Sequence, residues 1–244
     1  MGSVAASPLM EKLDLRKKAV LNLKKSIGLD GQKASVVFVL DKSGSMQKLY
    51  TNGFVQRLTE RILPLGLAFD DDGEVDLFVF HSQSFEHPTS IKRNTITQVI
   101  PEVISKYDYK GTNYAPPINQ ILDKYVGEKS GGLFGMGKKR PDKKMNHPVY
   151  VIYVTDGAND DKVETTELMR EASNYPIYFQ FVGIGSASMT YLENLDDLSG
   201  RTVDNAGFFR ANDIDKLTDD DLYARMLKEF PTFIKDVRSK NWIV

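Results

Sequence analysis

Two kinds of apolar pattern alternate along this chain: short, nearly continuous runs, and longer stretches in which apolar residues recur every three or four positions. The mainly apolar runs Ser35–Leu40, Val75–Phe80 (broken by Asp76), Val149–Val154 and Ile177–Ile184 (broken by Gln180) predict strands, most of them buried. Phe85–Ile91 predicts a short edge strand, because Pro88 has no N–H to give to a central ladder. Thr202–Phe209 predicts a last strand. The periodic stretches predict helices over Leu9–Ile27, Phe54–Phe69, Ile96–Tyr107, Pro116–Val126, Val163–Ala172, Met189–Leu198 and Asp221–Val237. In the first of these Leu9, Leu13, Leu15, Val20, Leu23 and Ile27 form the apolar stripe, and Gly28 is placed to end it. Pro64 lies inside the second and should kink it or cost a hydrogen bond. Strands alternating with helices predict an α/β fold: a doubly wound, mostly parallel sheet flanked by helices, with one short antiparallel edge strand.

Periodicity disappears between Gly127 and His147, a Gly- and Lys-rich stretch that reads as a long surface loop. Its basic cluster is Lys138, Lys139, Arg140, Lys143 and Lys144, either plainly solvated or a patch for phosphate or acidic groups. The run Gly131–Lys139 superficially looks like a phosphate loop, but it lacks G-x-x-x-x-G-K-[ST] and follows no strand. Asp70-Asp71-Asp72-Gly73 reads as a tight turn; calcium-loop spacing would require an acid where Ala68 stands. The organisation expected is an N-terminal helical extension over 1–32 and one domain over 33–244, carrying the 127–147 loop.

Composition narrows the functions. A formal net charge of −1 over 244 residues supplies no field for nucleic acid or an anionic membrane. The absence of Cys excludes disulfides, zinc–thiolate sites and thiol chemistry. No apolar run approaches the roughly 18 residues of a membrane-spanning helix. The N-terminus has no signal-peptide core, and Ala6 stands where a myristoylation pattern needs Ser or Thr. The expected location is the cytoplasm.

Candidate chemistry begins where the first strand ends. The apolar run from Ser35 stops abruptly at Asp41-Lys42-Ser43-Gly44-Ser45-Met46, a D-x-S-x-S pattern. In open α/β sheets, ligands bind at the carboxyl edge of the strands. One carboxylate and two hydroxyls, all oxygen donors, suit a hard divalent cation. Lys110-Gly111-Thr112-Asn113 offers another hydroxyl from a loop, and Asp156 ends a second apolar strand as Asp41 ends the first. Parallel strands would carry both carboxylates to one sheet edge. His81, His87 and His147 have no metal-ligand spacing and read as surface or turn residues. No G-x-S-x-G elbow or Ser-His-Asp order is present.

The ordered set Asp41, Ser43, Ser45, then Thr112, then Asp156 resembles the metal-ion-dependent adhesion site (MIDAS) of von Willebrand factor type A (vWA) domains, over about Lys33 to the C-terminus. Leu40–Met46, Phe69–Gly73 and Glu229-Phe230-Pro231 look most like the bacterial tellurite-resistance, or toxic-cation-resistance, type. The resemblance implies Ser43 and Ser45 as direct ligands. It implies Thr112 as direct in one state and water-mediated in another, and Asp41 and Asp156 as acting largely through water. The cation implied is Mg²⁺, with Mn²⁺ or Ca²⁺ as alternatives. Neutral direct ligands leave a dication's charge poorly compensated, so an Asp or Glu of a protein partner is expected to complete the coordination. The function expected is therefore a non-enzymatic protein-binding module of a bacterial stress-response system. The alternatives are a Mg²⁺-dependent phosphotransfer enzyme using Asp41, against which Ser43 stands where a second carboxylate is wanted, and a metal-free scaffold. Lys42 could repel the cation, or point away and meet an acidic partner. By the same resemblance the final helix, Asp221–Val237, could move on binding, with Trp242 as its probe.

Overall fold

The computed structural model describes residues 7–70, 73–130, 139–142, 144–157, 159–212 and 214–244. Among them six strands form one sheet: β1 (Ser35–Asp41), β2 (Asp76–Phe80), β3 (Ser84–Glu86), β4 (Val149–Thr155), β5 (Ile177–Gly183) and β6 (Ala206–Arg210). Their order is β3-β2-β1-β4-β5-β6. All neighbours are parallel except β2 and β3, so the sheet is doubly wound with one antiparallel edge strand, as the sequence predicts. The chain runs outward from β1 in one direction, then returns to β4 and runs outward in the other. The junction of β1 and β4 is thus a topological switch point, where loops leave the strand ends in opposite directions and open a crevice.

The nearly continuous apolar runs are explained by burial on both faces. Phe38, Leu40, Tyr150, Ile152 and Val154 face one core, while Val37, Val39, Val151, Tyr153 and Phe181 face the other. The first core is closed by α1 (Pro8–Ser26), α3 (Phe54–Phe69), α4 (Ile96–Lys106), α8 (Asp219–Met226) and α9 (Phe230–Ser239). The second is closed by α5 (Ala115–Tyr125), α6 (Lys162–Ala172) and α7 (Thr190–Asp196). A turn of 3₁₀ helix, Gly44–Met46, and the short α2 (Gln47–Thr51) follow β1 directly.

Helix α1 packs on the body through Leu13 and Val20. The Lys24 ammonium donates to the carbonyls of Gln32 (2.8 Å) and Ala68 (2.7 Å). Arg16 and Arg61 both bind the Asp219 carboxylate, tying α1 and α3 to the start of α8.

Several expectations are corrected. Leu15 lies outside the apolar stripe and is 65% exposed, because it falls two residues from Leu13, on the opposite side of the helix. The predicted final helix is two helices, α8 and α9. Pro231 has no N–H to give and its ring crowds the carbonyl four residues back, so a new helix starts at Phe230 instead. The edge strand is limited to Ser84–Glu86, with Ile91 making a separate bridge to Val75, and the last strand begins at Ala206 rather than Thr202. Helix α3 continues through Pro64 without a break.

In the Gly/Lys-rich stretch, Ser130 pairs with Lys139. Arg140 is buried among Asp123, Glu171, Asn119 and the Gly127 carbonyl, so it does not belong to an exposed basic patch. Lys138, Lys143, the run 131–137 and the Asp71-Asp72 half of the predicted turn lie outside the described residues. His81 and His87 are buried rather than on the surface, and their turn role holds: each Nδ1 accepts a backbone N–H two residues on, from Gln83 and Thr89.

Candidate metal centre

Three chain segments meet outside the carboxyl ends of β1 and β4. The first leaves β1. Asp41 is its last residue and is completely buried. Its Oδ1 accepts the Ser43 N–H at 2.7 Å, an Asx turn that bends the chain out of the sheet. The bend sets the Ser43 and Ser45 hydroxyl oxygens 3.1 Å apart at the start of the 3₁₀ turn. Ser43 is buried and Ser45 is exposed, so the pair spans from the interior to the surface.

The second segment enters α5. Lys110 pairs with Ser43 in a parallel bridge, and its carbonyl accepts the Gly44 N–H at 3.0 Å. Thr112, two residues further on, is buried beside this bridge. The Asn113 N–H donates to the His81 carbonyl at the end of β2. The third segment leaves β4. The Asp160 N–H donates to the Thr112 carbonyl at 2.8 Å. The Asp161 carboxylate accepts the N–H groups of Tyr114 (2.9 Å) and Ala115 (2.7 Å). Those are free donors in the first turn of α5, and a carboxylate there also meets the positive end of the helix dipole. Gly157 has φ +98°, and a Cβ there would stand 2.5 Å from the Met189 sulfur, so Gly is required directly after Asp156.

Asp156 lies close enough to Asp41 for its charge to act on the Asp41 carboxyl. Burial pushes the Asp41 carboxyl up to about 7; hydrogen bonds from Thr155 and Ser43 oppose that shift, and the Asp156 charge adds to it. The Asp156 Oδ1 is buried with no hydrogen-bond donor among the described residues. A buried carboxylate oxygen without a donor is costly unless a cation or water meets it. Together with two adjacent neutral hydroxyls, this donor set fits a hard divalent cation held through oxygen. Ser43, Ser45, Thr112, Asp41 and Asp156 are the residues that could hold it. No cluster of three or more His, Cys, Asp or Glu side chains arranged for a metal occurs among the described residues.

Lys42 neither faces the site nor reaches outward. Its side chain is fully buried, with the ammonium over the rings of Tyr109 and Tyr50, and burial lowers its pKa to about 8. Sequence reasoning assigned no role to Thr155, Tyr114 or Asp161. The Thr155 hydroxyl donates to the Asp41 Oδ2 at 2.6 Å, and the Tyr114 hydroxyl lies 2.8 Å from the Thr155 oxygen. The available signal was a single hydroxyl residue closing a strand otherwise made of Val, Ile and Tyr.

A family model for the vWA domain found at the TerF C-terminus matches residues 33–243. The uncharacterized protein YcbR of Bacillus subtilis (strain 168) is 32% identical over 236 residues, covering 95% of this chain and 90% of that one. Copine-C of Dictyostelium discoideum is 27% identical over 161 residues, which is 60% of this chain but 28% of that longer protein. Among solved structures, the manganese-loaded TRAP protein of Plasmodium vivax superposes with a TM-score of 0.51 at 16% identity, covering 75% of this chain and 70% of that chain, a likeness of fold. With the matched residues spanning the whole sheet, its switch point and the three converging loops, the chain belongs to the vWA-TerF-like family.

Proposed function

We propose that this protein is a non-enzymatic, cation-dependent protein-binding module. The family fold is commonly a protein-interaction module; in this chain a divalent cation would be held at the β1/β4 switch point and completed by an Asp or Glu of a protein partner. The observation that carries it is the pairing of the Ser43 and Ser45 hydroxyls, 3.1 Å apart, beside a buried Asp156 oxygen without a donor. Ser43, Ser45 and Thr112 would hold the cation directly, with Asp41 and Asp156 supplying charge through water. When bound, the cation would act as a Lewis acid short of negative ligands, which is what draws a carboxylate from outside. Mg²⁺ is the proposed cation, with Mn²⁺ or Ca²⁺ able to substitute. The family resemblance suggests a bacterial tellurite- or stress-resistance assembly in the cytoplasm as the setting.

Phosphotransfer through Asp41 is the lesser reading. A nucleophilic carboxylate needs a free, reachable oxygen. Both Asp41 oxygens are engaged, by the Ser43 N–H and the Thr155 hydroxyl, and the residue is completely buried. Mn²⁺ titration followed by electron paramagnetic resonance tests the proposal. One saturable site in the unaltered protein, absent from Asp41→Ala, is expected. A protein that binds no Mn²⁺ even when an acidic peptide is supplied at millimolar concentration would return the domain to a metal-free scaffold.

A further inference from the structure

We propose that Thr155 is a positioning residue for the cation site, acting with Tyr114 behind it to hold the Asp41 carboxylate in one orientation through a directed chain of hydroxyl hydrogen bonds. This rests on the cation-binding reading above and names two residues that the ligand set does not contain.

The direction of the chain follows from which groups carry protons. A cation at the site would hold Asp41 ionised, and a carboxylate can only accept. Its Oδ1 takes the Ser43 N–H at 2.7 Å, so its Oδ2, 2.6 Å from the Thr155 oxygen, must take the Thr155 proton. Thr155 has one proton and has then spent it, so toward Tyr114, 2.8 Å away, it can only accept. The Tyr114 phenol is therefore the donor at the head of the chain. Thr155 and Tyr114 are both buried, so water does not compete for these partners. Each bond polarises the next in such surroundings.

The chain also joins the three segments of the site. Asp41 ends β1, Thr155 ends β4, and Tyr114 precedes α5, with its own N–H held by Asp161 at 2.9 Å. Tyr114 is two residues from Thr112, so the phenol that fixes Asp41 stands on the same loop as the third hydroxyl ligand. Partners of this kind orient metal-binding carboxylates, and their removal typically weakens metal binding by about 10- to 100-fold.

The test is Mn²⁺ titration by electron paramagnetic resonance of the unaltered chain, Thr155→Val, Thr155→Ser and Tyr114→Phe, with melting of each followed by circular dichroism. The expected result is a Thr155→Val protein that binds Mn²⁺ about 10-fold or more weakly, rescue by Thr155→Ser to within about threefold, and an intermediate loss in Tyr114→Phe. Rescue by Ser separates a hydroxyl's hydrogen bond from the packing of the β4 end, because Ser restores the oxygen and not the methyl. Should Thr155→Val fail to fold, Tyr114→Phe carries the test alone: unchanged Mn²⁺ affinity there overturns the inference. So does a folded Thr155→Val that binds as the unaltered protein does, or a Thr155→Ser as weak as Thr155→Val. No saturable site in the unaltered chain, even with an acidic peptide supplied at millimolar concentration, overturns the cation reading itself, and this inference with it.

Discussion

The Lys42 ammonium lies 3.2 Å from the centre of the Tyr109 ring and 4.9 Å from that of Tyr50, with no hydrogen-bond acceptor among the described residues. Tyr50 in turn donates its hydroxyl to the Asp41 carbonyl at 2.9 Å. A positive charge is thus buried one residue from the candidate ligands, held by two aromatic faces, each desolvated cation–π contact contributing on the order of 2 kcal/mol.

Replacing Lys42 by Met keeps the stem and removes the charge. The lost cation–π attraction and the relieved desolvation cost should nearly cancel, leaving stability within about 1.5 kcal/mol of the unaltered protein. Lys42→Ala empties the space and should cost about 2–5 kcal/mol, the range of buried large-to-small changes. Mn²⁺ should bind Lys42→Met more tightly at low salt, since one like charge is gone. Weaker binding in that variant would mean that Lys42 supports the site rather than opposing it. Urea unfolding and Mn²⁺ titration at low ionic strength read both effects.

Asp196, at the end of α7, shares a hydrogen bond with Glu229 at the α8–α9 junction, and burial, then the Glu229, Asp197 and Asp204 charges, raise its carboxyl to about 7. Around it stand the Tyr178 phenol, Lys228 paired with Glu229, and Arg201, which pairs with Asp204 and donates to the Asp196 carbonyl. The folded chain keeps a proton that the unfolded chain releases near 3.8, so this group's contribution to stability falls as pH rises from about 4 to about 7. Asp196→Asn should therefore melt higher than the unaltered protein at pH 7.5 and alike at pH 4. Parallel melting curves across that range would show that the carboxyl titrates normally.

Arg140 anchors the neck of the Gly/Lys-rich stretch. Its guanidinium binds Glu171 (3.0 Å), the Gly127 carbonyl (2.7 Å), Asn119 (2.7 Å) and Asp123, and its side chain is fully buried. Arg140→Ala should cost about 1–3 kcal/mol, because it leaves the half-buried Asp123, Asn119 and Gly127 acceptors without their donor while Glu171 keeps Lys129. Arg140→Lys should recover only part of that, since an ammonium cannot reproduce the fork. Equal stability of Arg140→Ala and the unaltered protein in guanidinium unfolding would refute the anchor.

Gly66 lets α3 approach the sheet. A Cβ there would stand 2.6 Å from a Val75 methyl and 3.4 Å from one of Val36. Gly66→Ala should destabilise by about 1–3 kcal/mol through overpacking. Adding Val75→Ala should restore part of the loss, and a double-mutant cycle measures the coupling; strict additivity would locate the damage elsewhere.

The strands, and the placement of Asp41 and Asp156 at strand ends, were legible because both rest on local pattern. An apolar run that stops at a carboxylate states where a strand ends, and parallel order then carries Asp41 and Asp156 to one edge. The two serines were legible because their spacing from Asp41 is part of a turn. The same local reasoning missed the break before α9, where Pro231 interrupted an otherwise helical pattern, and it misplaced Leu15 by following period too loosely. The roles of Thr155 and Tyr114 were out of reach for a different reason. Thr155 meets an aspartate 114 residues away, and Tyr114 meets it across another 41. The direction of Lys42 was hidden likewise, since Tyr109 belongs to a distant loop. Periodicity is a property of neighbours along the chain, whereas the orientation of a buried polar side chain is decided by whichever donors, acceptors and rings the folded topology sets against it.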